Sequence, residues 1–490
     1  MAMGPRDFLR RVGFGLRPNQ PLPSDPLGWA QAQMETVPDL IWPGRIYSEK
    51  EMLDIRVDFT TAEQKLEQTV KDPAKMKPMR EALYNRSGRR FFEGYELAIR
   101  HYQAVHASTP VFERFWHFWG NHFAIVDKQK LPTFNTGAMQ RDVIRERMTG
   151  SFTDLVYDVT LTWPMLRSLD NFISRGPNSS FNVNRKKRNK PPKGLNENHA
   201  RELLELHTIS PAGGYSQTDV INAAYIITGW GFIGGKKGIE SKQIGFSGGL
   251  HEPGTHEILG KKYKSKGFDA KTKGKNQLRE LVEDLCGYEA CRTFISWKLC
   301  QHFICDNPTN EMVGFVAEAW QKSGGMLPEI HQAVLAAAWE FGGAHSKFLS
   351  PETWLLQSAR ITGSTWPGPP EHFDYDFASK PTYRQKRAAV VLRELGHLPF
   401  RAKQPNGFPD TAADWVSPEF LVRRLSLINV PTRMGLIDRN ADAATIVKNA
   451  IKKNFDNPEM LLESQDALGE NGSKAAYLVA LLCSKRMLKA

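Results

Sequence analysis

Apolar residues recur at helical spacing through most of this chain and at strand spacing almost nowhere, and that asymmetry limits what it can fold into. The helical period is clearest over residues 89–106, 109–123, 196–208 and 289–304. The punctuation agrees: Pro110 follows Thr109 at a helix start, Ser216 with Gln217 and Asp219 opens a helix after Gly213 and Gly214, and Pro308 follows a helix end. Between 229 and 274, many Gly and Lys residues interrupt the period, which predicts a long irregular excursion with one short hairpin. Two further stretches, 365–381 and 399–418, read as non-helical. No internal repeat is visible, so a solenoid is disfavoured. The expected fold is all-α, a multi-helix globular protein.

At 490 residues and 41% hydrophobic content, the chain exceeds what one core supports, so two or more packed helical lobes are expected. The natural division is an N-terminal helical lobe over 1–175, a central region over 176–275 with an acidic helix and basic loops, and a C-terminal helical lobe over 276–490. One continuous domain over 5–485 is the alternative. The 12 Trp and 27 Phe argue for a packed interior rather than disorder. No window approaches the roughly 20 apolar residues of a membrane span. The first residues lack the apolar core of a secretory signal, which favours the cytoplasm. Five cysteines, with no C-x-x-C pair, argue against a disulfide scaffold or zinc ribbon, and the four in one helical region, Cys286, Cys291, Cys300 and Cys305, read as reduced, buried thiols. A formal charge of +12 favours an anionic partner. The excess is concentrated in 184–193, 236–242 and 261–275, which read as solvated loops.

Chemistry is densest between Gly194 and Thr208. Asn196 is a plausible N-cap, and at about 100° per residue Glu197, Arg201 and Glu205 share a stripe with Asn198 and Glu202 beside it. The other face carries Ala200, Leu203, Leu204, Leu206 and His207, with His199 at its edge. Surface i,i+4 pairing accounts for the acidic stripe in the simplest way. Clustered carboxylates can also bind a divalent cation or divide acid and base roles, with Arg201 orienting one of them or binding an anion. The spacing matches neither H-E-x-x-H nor the E-x-x-H of di-iron bundles.

His122 ends an aromatic helix, and His251 lies in the Gly-rich excursion, where a turn could bring it toward the acidic helix. His302, on a mostly apolar helix, reads as structural. Asp170 and Asn171 sit at a helix end, where they can cap backbone groups. Phosphate-binding glycine loops, dinucleotide fingerprints and the G-x-S-x-G elbow are absent, and no helix-turn-helix or zinc-finger spacing supports nucleic-acid binding.

Taken in order, 10–15 (RRVGFG), 118–123 (FWGNHF), 165–171 (MLRSLDN), 195–207 (LNENHARELLELH), 213–219 (GGYSQTD), 228–230 (TGW) and 404–409 (QPNGFP) ahead of Trp415 resemble the bacterial family catalogued as domain of unknown function 1800. The resemblance covers nearly the whole chain. It implies an exported or envelope-associated protein, and a phosphatase-like or sulfatase-like partner protein. Positions matching its motifs are His122, Asp170, Asn171, Asn196, Glu197, Asn198, Arg201, Glu202, Glu205 and His251. The chain departs from the family pattern at Gly120 and Trp163, where a histidine is usual.

Two functional readings follow. In the first, the chain is a carboxylate- or metal-dependent hydrolase acting on an anionic or glycan-like envelope substrate. Its catalytic candidates are Glu197, Arg201, Glu202, Glu205, Asp170 and Asn171, and any divalent metal would sit on His122, His251 and Glu202. In the second, it is a noncatalytic binding or assembly module that docks an acidic partner protein or polymer through its basic loops.

Overall fold

A computed structural model describes residues 2–85, 89–126, 135–233, 243–267, 269–368, 383–428, 441–469 and 472–490. The basic stretch 236–242 and most of the 365–381 segment lie outside the described residues. The chain is mostly helical, as its periodicity predicts. Helices occupy Arg89–His106, Pro110–His122, Glu289–Phe303 and Pro351–Ile361, and no helix among the described residues is long and apolar enough to cross a membrane. Ser216 caps Gln217–Ile227 in a reciprocal box with Asp219.

Four local features differ from the sequence reading, one of them the short helix Ala412–Trp415 within the stretch 399–418 read as non-helical. The excursion holds two hairpins rather than one: Trp230–Ile233 pairs antiparallel with Gln243–Phe246, and Thr255–Ile258 with Lys261–Lys264. The second hairpin turns through Leu259 and Gly260, both at positive φ (49° and 78°), the geometry that matches the twist of two-residue hairpins. Within the basic stretch 184–193, residues up to Lys187 belong to the helix Ser180–Lys187. Its last turn carries Arg185, Lys186 and Lys187, where cations complement the helix dipole. The acidic helix is α-helical only over Asn198–Glu202 and widens to a π turn over Leu203–Thr208. Thr208 Oγ1 marks the wider turn by donating to the Leu203 carbonyl at 2.6 Å.

The largest core runs from Phe8 and Trp119 through Leu203, Ile227 and Leu299 to Ala338. A second gathers Trp354, Leu392, Ile451 and Leu481 around Phe14, Leu97 and Val105. The helix Pro5–Val12 joins the two ends of the chain. Phe8 packs edge-on against Trp339 at 5.0 Å, Asp456 accepts from the amides of Arg6 and Asp7, and Asn454 bonds both backbone groups of Leu16. All five cysteines are reduced, and Cys286, Cys291, Cys300 and Cys305 are buried.

Buried guanidinium groups hold helix ends to these cores. Arg360, fully buried, donates to the carbonyls of Gly15, Ala104, Val105 and Ala107 at 2.8–3.2 Å and to Gln20 at 2.9 Å. It therefore closes the C-terminus of Arg89–His106, whose last carbonyls have no intrahelical partner. Truncation would strand several buried acceptors at once. We expect Arg360→Met to destabilise the fold by about 3 kcal/mol or more, read as a lower urea midpoint at unchanged slope.

Candidate functional site

Of the sequence candidates, Glu197, Arg201 and Glu205 line up along one stripe of the acidic helix. Arg201 donates to Glu205 at 3.1 Å, to Glu197 at 3.4 Å and to Gln217 at 2.9 Å, and Gln217 returns a bond to Glu197 at 2.7 Å. The three charged groups are 24–37% exposed, so screening leaves such pairs little net energy. Glu205 also engages Tyr215, whose hydroxyl burial and this carboxylate push up to about 12. Asn196 Oδ1 receives the amide of Asn198 at 2.9 Å, so Asn196 caps the first turn from outside the helix.

The other predicted residues take separate places. Asp170 adopts a left-handed conformation (φ 56°) and lies 3.6 Å from Arg167. Asn171 is buried, and its amide donates to the Trp230 carbonyl at 2.9 Å, anchoring the first hairpin. Ser174, three residues on, accepts from the amide of Asn196 at 3.0 Å, so this turn abuts the start of the acidic helix. His251 is held within the excursion, its Nδ1 2.8 Å from the Thr228 carbonyl and its Nε2 2.8 Å from Gln277 Oε1. A metal on His251 would have to displace one of these oxygens. Among the described residues no group of three or more His, Cys, Asp or Glu is placed to hold a metal ion.

His122 does reach the acidic helix, on its buried side. Lys298 Nζ donates to His122 Nδ1 at 3.0 Å, which leaves Nε2 to face the His207 carbonyl at 3.4 Å. Burial and then Lys298 hold His122 well below its usual range, and burial lowers Lys298 to about 8. Lys298 lies one helical turn before His302, so this cluster continues into a second one that the sequence reading did not single out.

There, His302 Nδ1 meets Asp410 Oδ2 at 2.5 Å. Lys347 donates to Asp306 at 2.6 Å and to the Asp410 backbone carbonyl. Asp410 is delivered by a clamp: Asn121 donates to the Phe408 carbonyl at 2.9 Å and accepts from the Phe408 amide at 2.8 Å. Gly407, at φ 79°, makes the approach possible, because a Cβ there would lie 2.4 Å from the Asn121 carbonyl. The 118–123 and 404–409 motifs, far apart in sequence, thus close on one another.

Behind the clamp is a cavity of about 30 Å³. Its buried wall is Arg100, Arg114, His117, Glu352, Thr353 and His397, and Asn121, His302, Phe408 and Asp410 form its partly exposed rim. Arg100 holds Glu352 with two bonds, at 3.1 and 3.2 Å. His101 adds a third contact at 3.2 Å, its tautomer set by Trp366 Nε1 donating to Nδ1 at 3.0 Å. Burial would raise the Glu352 carboxyl, but Arg100, His117 and His101 win and hold it well below its usual range. Asp410 behaves alike, its burial overcome by His302, Lys347 and Arg114. Burial lowers both His302 and His397 to about 4. Gly120 lines the same cavity, and Gln140 and Arg100 occupy the space a side chain would take there. Trp163, the other departure from the family pattern, stacks on Phe232.

A family model described as "Protein of unknown function (DUF1800)" matches residues 7–484. The chain belongs to this family. No curated protein and no solved structure matches it. The one sequence signal that could have pointed to Asp410 is its place directly after the segment 404–409.

The buried histidines make a testable linkage. His199, His207 and His331 are lowered to about 3 by burial, and His302 and His397 to about 4. In the unfolded chain each takes up a proton near pH 6.5, whereas in the fold each stays neutral until well below that. Between these limits the unfolded state binds more protons, so stability falls as pH falls. The urea midpoint at about pH 5 should lie well below that at about pH 7.5, and equal midpoints would contradict the burial of neutral imidazoles.

Proposed function

We propose that this member of the DUF1800 family is a hydrolase whose general base is His302, oriented by Asp410. The observation that carries the reading is the carboxylate–imidazole pair at the rim of a polar cavity large enough for water. With Nδ1–H given to Asp410, the Nε2 lone pair is the basic one, and Nε2 has no hydrogen-bond partner in the protein. Burial keeps the ring neutral through the working pH range, as a base must be. Arg114, a buried cation on the cavity wall, is the group that would stabilise negative charge developing on the substrate. Lys347 neutralises Asp306 and Asp410 and keeps the carboxylate seated.

In this proposal the substrate is an anionic or glycan-like molecule approaching the partly exposed rim, and the Glu197, Arg201, Glu202 and Glu205 face takes no part in the proton transfer. The test is hydrolysis of a panel of p-nitrophenyl acetate, phosphate, sulfate and β-glucoside. We expect turnover of at least one, lost by more than about 100-fold in His302→Ala and in Asp410→Asn, each assayed at a temperature where circular dichroism shows the variant folded. The rate should hold through neutral pH and fall on an acid limb near pH 4, where His302 gains its proton. No turnover of any substrate, or full activity in both variants, overturns the assignment.

A noncatalytic binding role is favoured by one separate observation. Lys186, Lys187 and Arg188 are exposed and Arg185 is partly so, and none of the four makes an ion pair among the described residues. Such a ridge attracts polyanions in a salt-dependent way. If it docks an acidic polymer, retention on heparin should weaken when these four are changed to Gln and be untouched by His302→Ala. Equal retention of the Gln variant would remove this reading.

A further inference from the structure

The wall of the cavity beside His302 carries one cation with no counter-charge. Arg114 is 3% exposed and lines the cavity. One nitrogen of its guanidinium donates to the Thr353 hydroxyl, and its centre lies 5.7 Å from the Phe14 ring, so the group is fixed in place. Among the described residues no carboxylate pairs with it: Glu352 is taken by Arg100, Asp410 by His302 and Asp306 by Lys347. Burial lowers Arg114 only to about 10, so it stays charged at neutral pH. A buried cation without a counter-charge is costly, and a group that brings partial or full negative charge beside it recovers that cost.

Size and charge together select the group. At about 30 Å³ the cavity has room for about two waters, each of which needs roughly 10–15 Å³. About two or three heavy atoms fit there, whereas a phosphoryl or sulfuryl head, with its oxygens arranged around a central atom, does not, nor does a sugar ring. The wall also carries Glu352 and Asp410. Burial opposes their ionisation, but Arg100 for the first and His302 for the second lead the groups that hold them well below the usual range. These two negative charges oppose entry of a dianion and leave a neutral carbonyl free to turn its oxygen to Arg114. The helix Pro351–Ile361 begins at this wall with Ser350 and Thr353, which adds the positive end of its dipole. Resting on the role proposed above for His302, we infer that the cavity seats a formyl- or acetyl-sized acyl group with its carbonyl oxygen on Arg114, and that the substrate is a neutral carboxylic ester whose alcohol part stays at the rim. Water adds through its oxygen to the acyl carbon and gives a proton to His302, while negative charge grows on the carbonyl oxygen beside Arg114. The ester C–O bond then breaks and the alcohol oxygen takes the proton from His302, leaving the alcohol and a carboxylic acid that loses its own proton to solvent.

The test uses the full chain and reads the seat and the chemistry separately. The seat is probed by ligand-observed NMR with acetamide, a neutral carbonyl compound that resists hydrolysis. We expect saturable binding at millimolar concentration, undisturbed by inorganic phosphate and weakened about tenfold or more in Arg114→Lys, which keeps the charge and loses the planar fork. The chemistry is probed with p-nitrophenyl esters: the acetate should turn over about tenfold or more faster than the hexanoate, and faster than the phosphate, sulfate or β-glucoside. Acetamide that fails to bind, is displaced by phosphate, or binds Arg114→Lys equally well overturns the seat. Faster turnover of the phosphate, sulfate or β-glucoside, or equal turnover of the hexanoate, overturns the substrate class and leaves His302 as the base if His302→Ala still abolishes that turnover. Acetamide that binds as expected while no ester is turned over counts against the general base and not against the seat. Circular dichroism checks the fold of Arg114→Lys, and the phosphate and hexanoate comparisons need no variant.

Discussion

The ion pair between Arg100 and Glu352 joins the parts of this protein, and much else depends on it. Both side chains are nearly inaccessible, at 2% and 6% exposure. Charges that deep pay a desolvation cost that only close, well-oriented partners recover, and removing one partner leaves the other stranded. Arg100 lies on Arg89–His106 and Glu352 on the first turn of Pro351–Ile361, so the pair can form only when these helices meet at one depth and angle. His101, Trp366 and Gln140 extend it into a network that has little freedom to slide. Arg100 and Glu352 themselves form part of the wall of the cavity beside His302, so the network sets one side of it.

The same economy explains why so many histidines are buried neutral. His117, His122, His199, His207, His302, His331 and His397 all sit in positions where burial opposes their protonation. A formally basic chain thus keeps its surplus charge on the surface, in places such as the end of Ser180–Lys187, while its interior cations are guanidinium groups spent on carbonyls and carboxylates. Arginine suits that task because its planar donors satisfy several acceptors at once.

Both π turns of the described chain flank this interior. Gln140–Arg145 supplies Gln140 to Arg100 and Arg145 to Glu113, and Leu203–Thr208 places His207 against His122. An extra residue in a turn rotates everything after it, and such turns collect at functional sites for that reason. In the acidic helix the rotation leaves the Glu197, Arg201, Glu205 ladder intact, because two of its members precede the π turn and Glu205 enters it early.

The sequence by itself determined the helical class, the helix starts at Thr109 and Ser216, the ladder on the acidic helix and the buried thiols, because each follows from local spacing or from the cost of exposing a residue type. It also revealed the family, since short motifs survive as strings. It did not reveal that Asn121 would grip Phe408 or that Asp410 would pair with His302. Those are meetings between residues far apart in the chain, settled by how helices pack and by which buried polar groups find partners. Periodicity reports which face of a helix is apolar, and His302 on such a face looked structural for that reason. Only the tertiary fold decides what polar group is pressed against it.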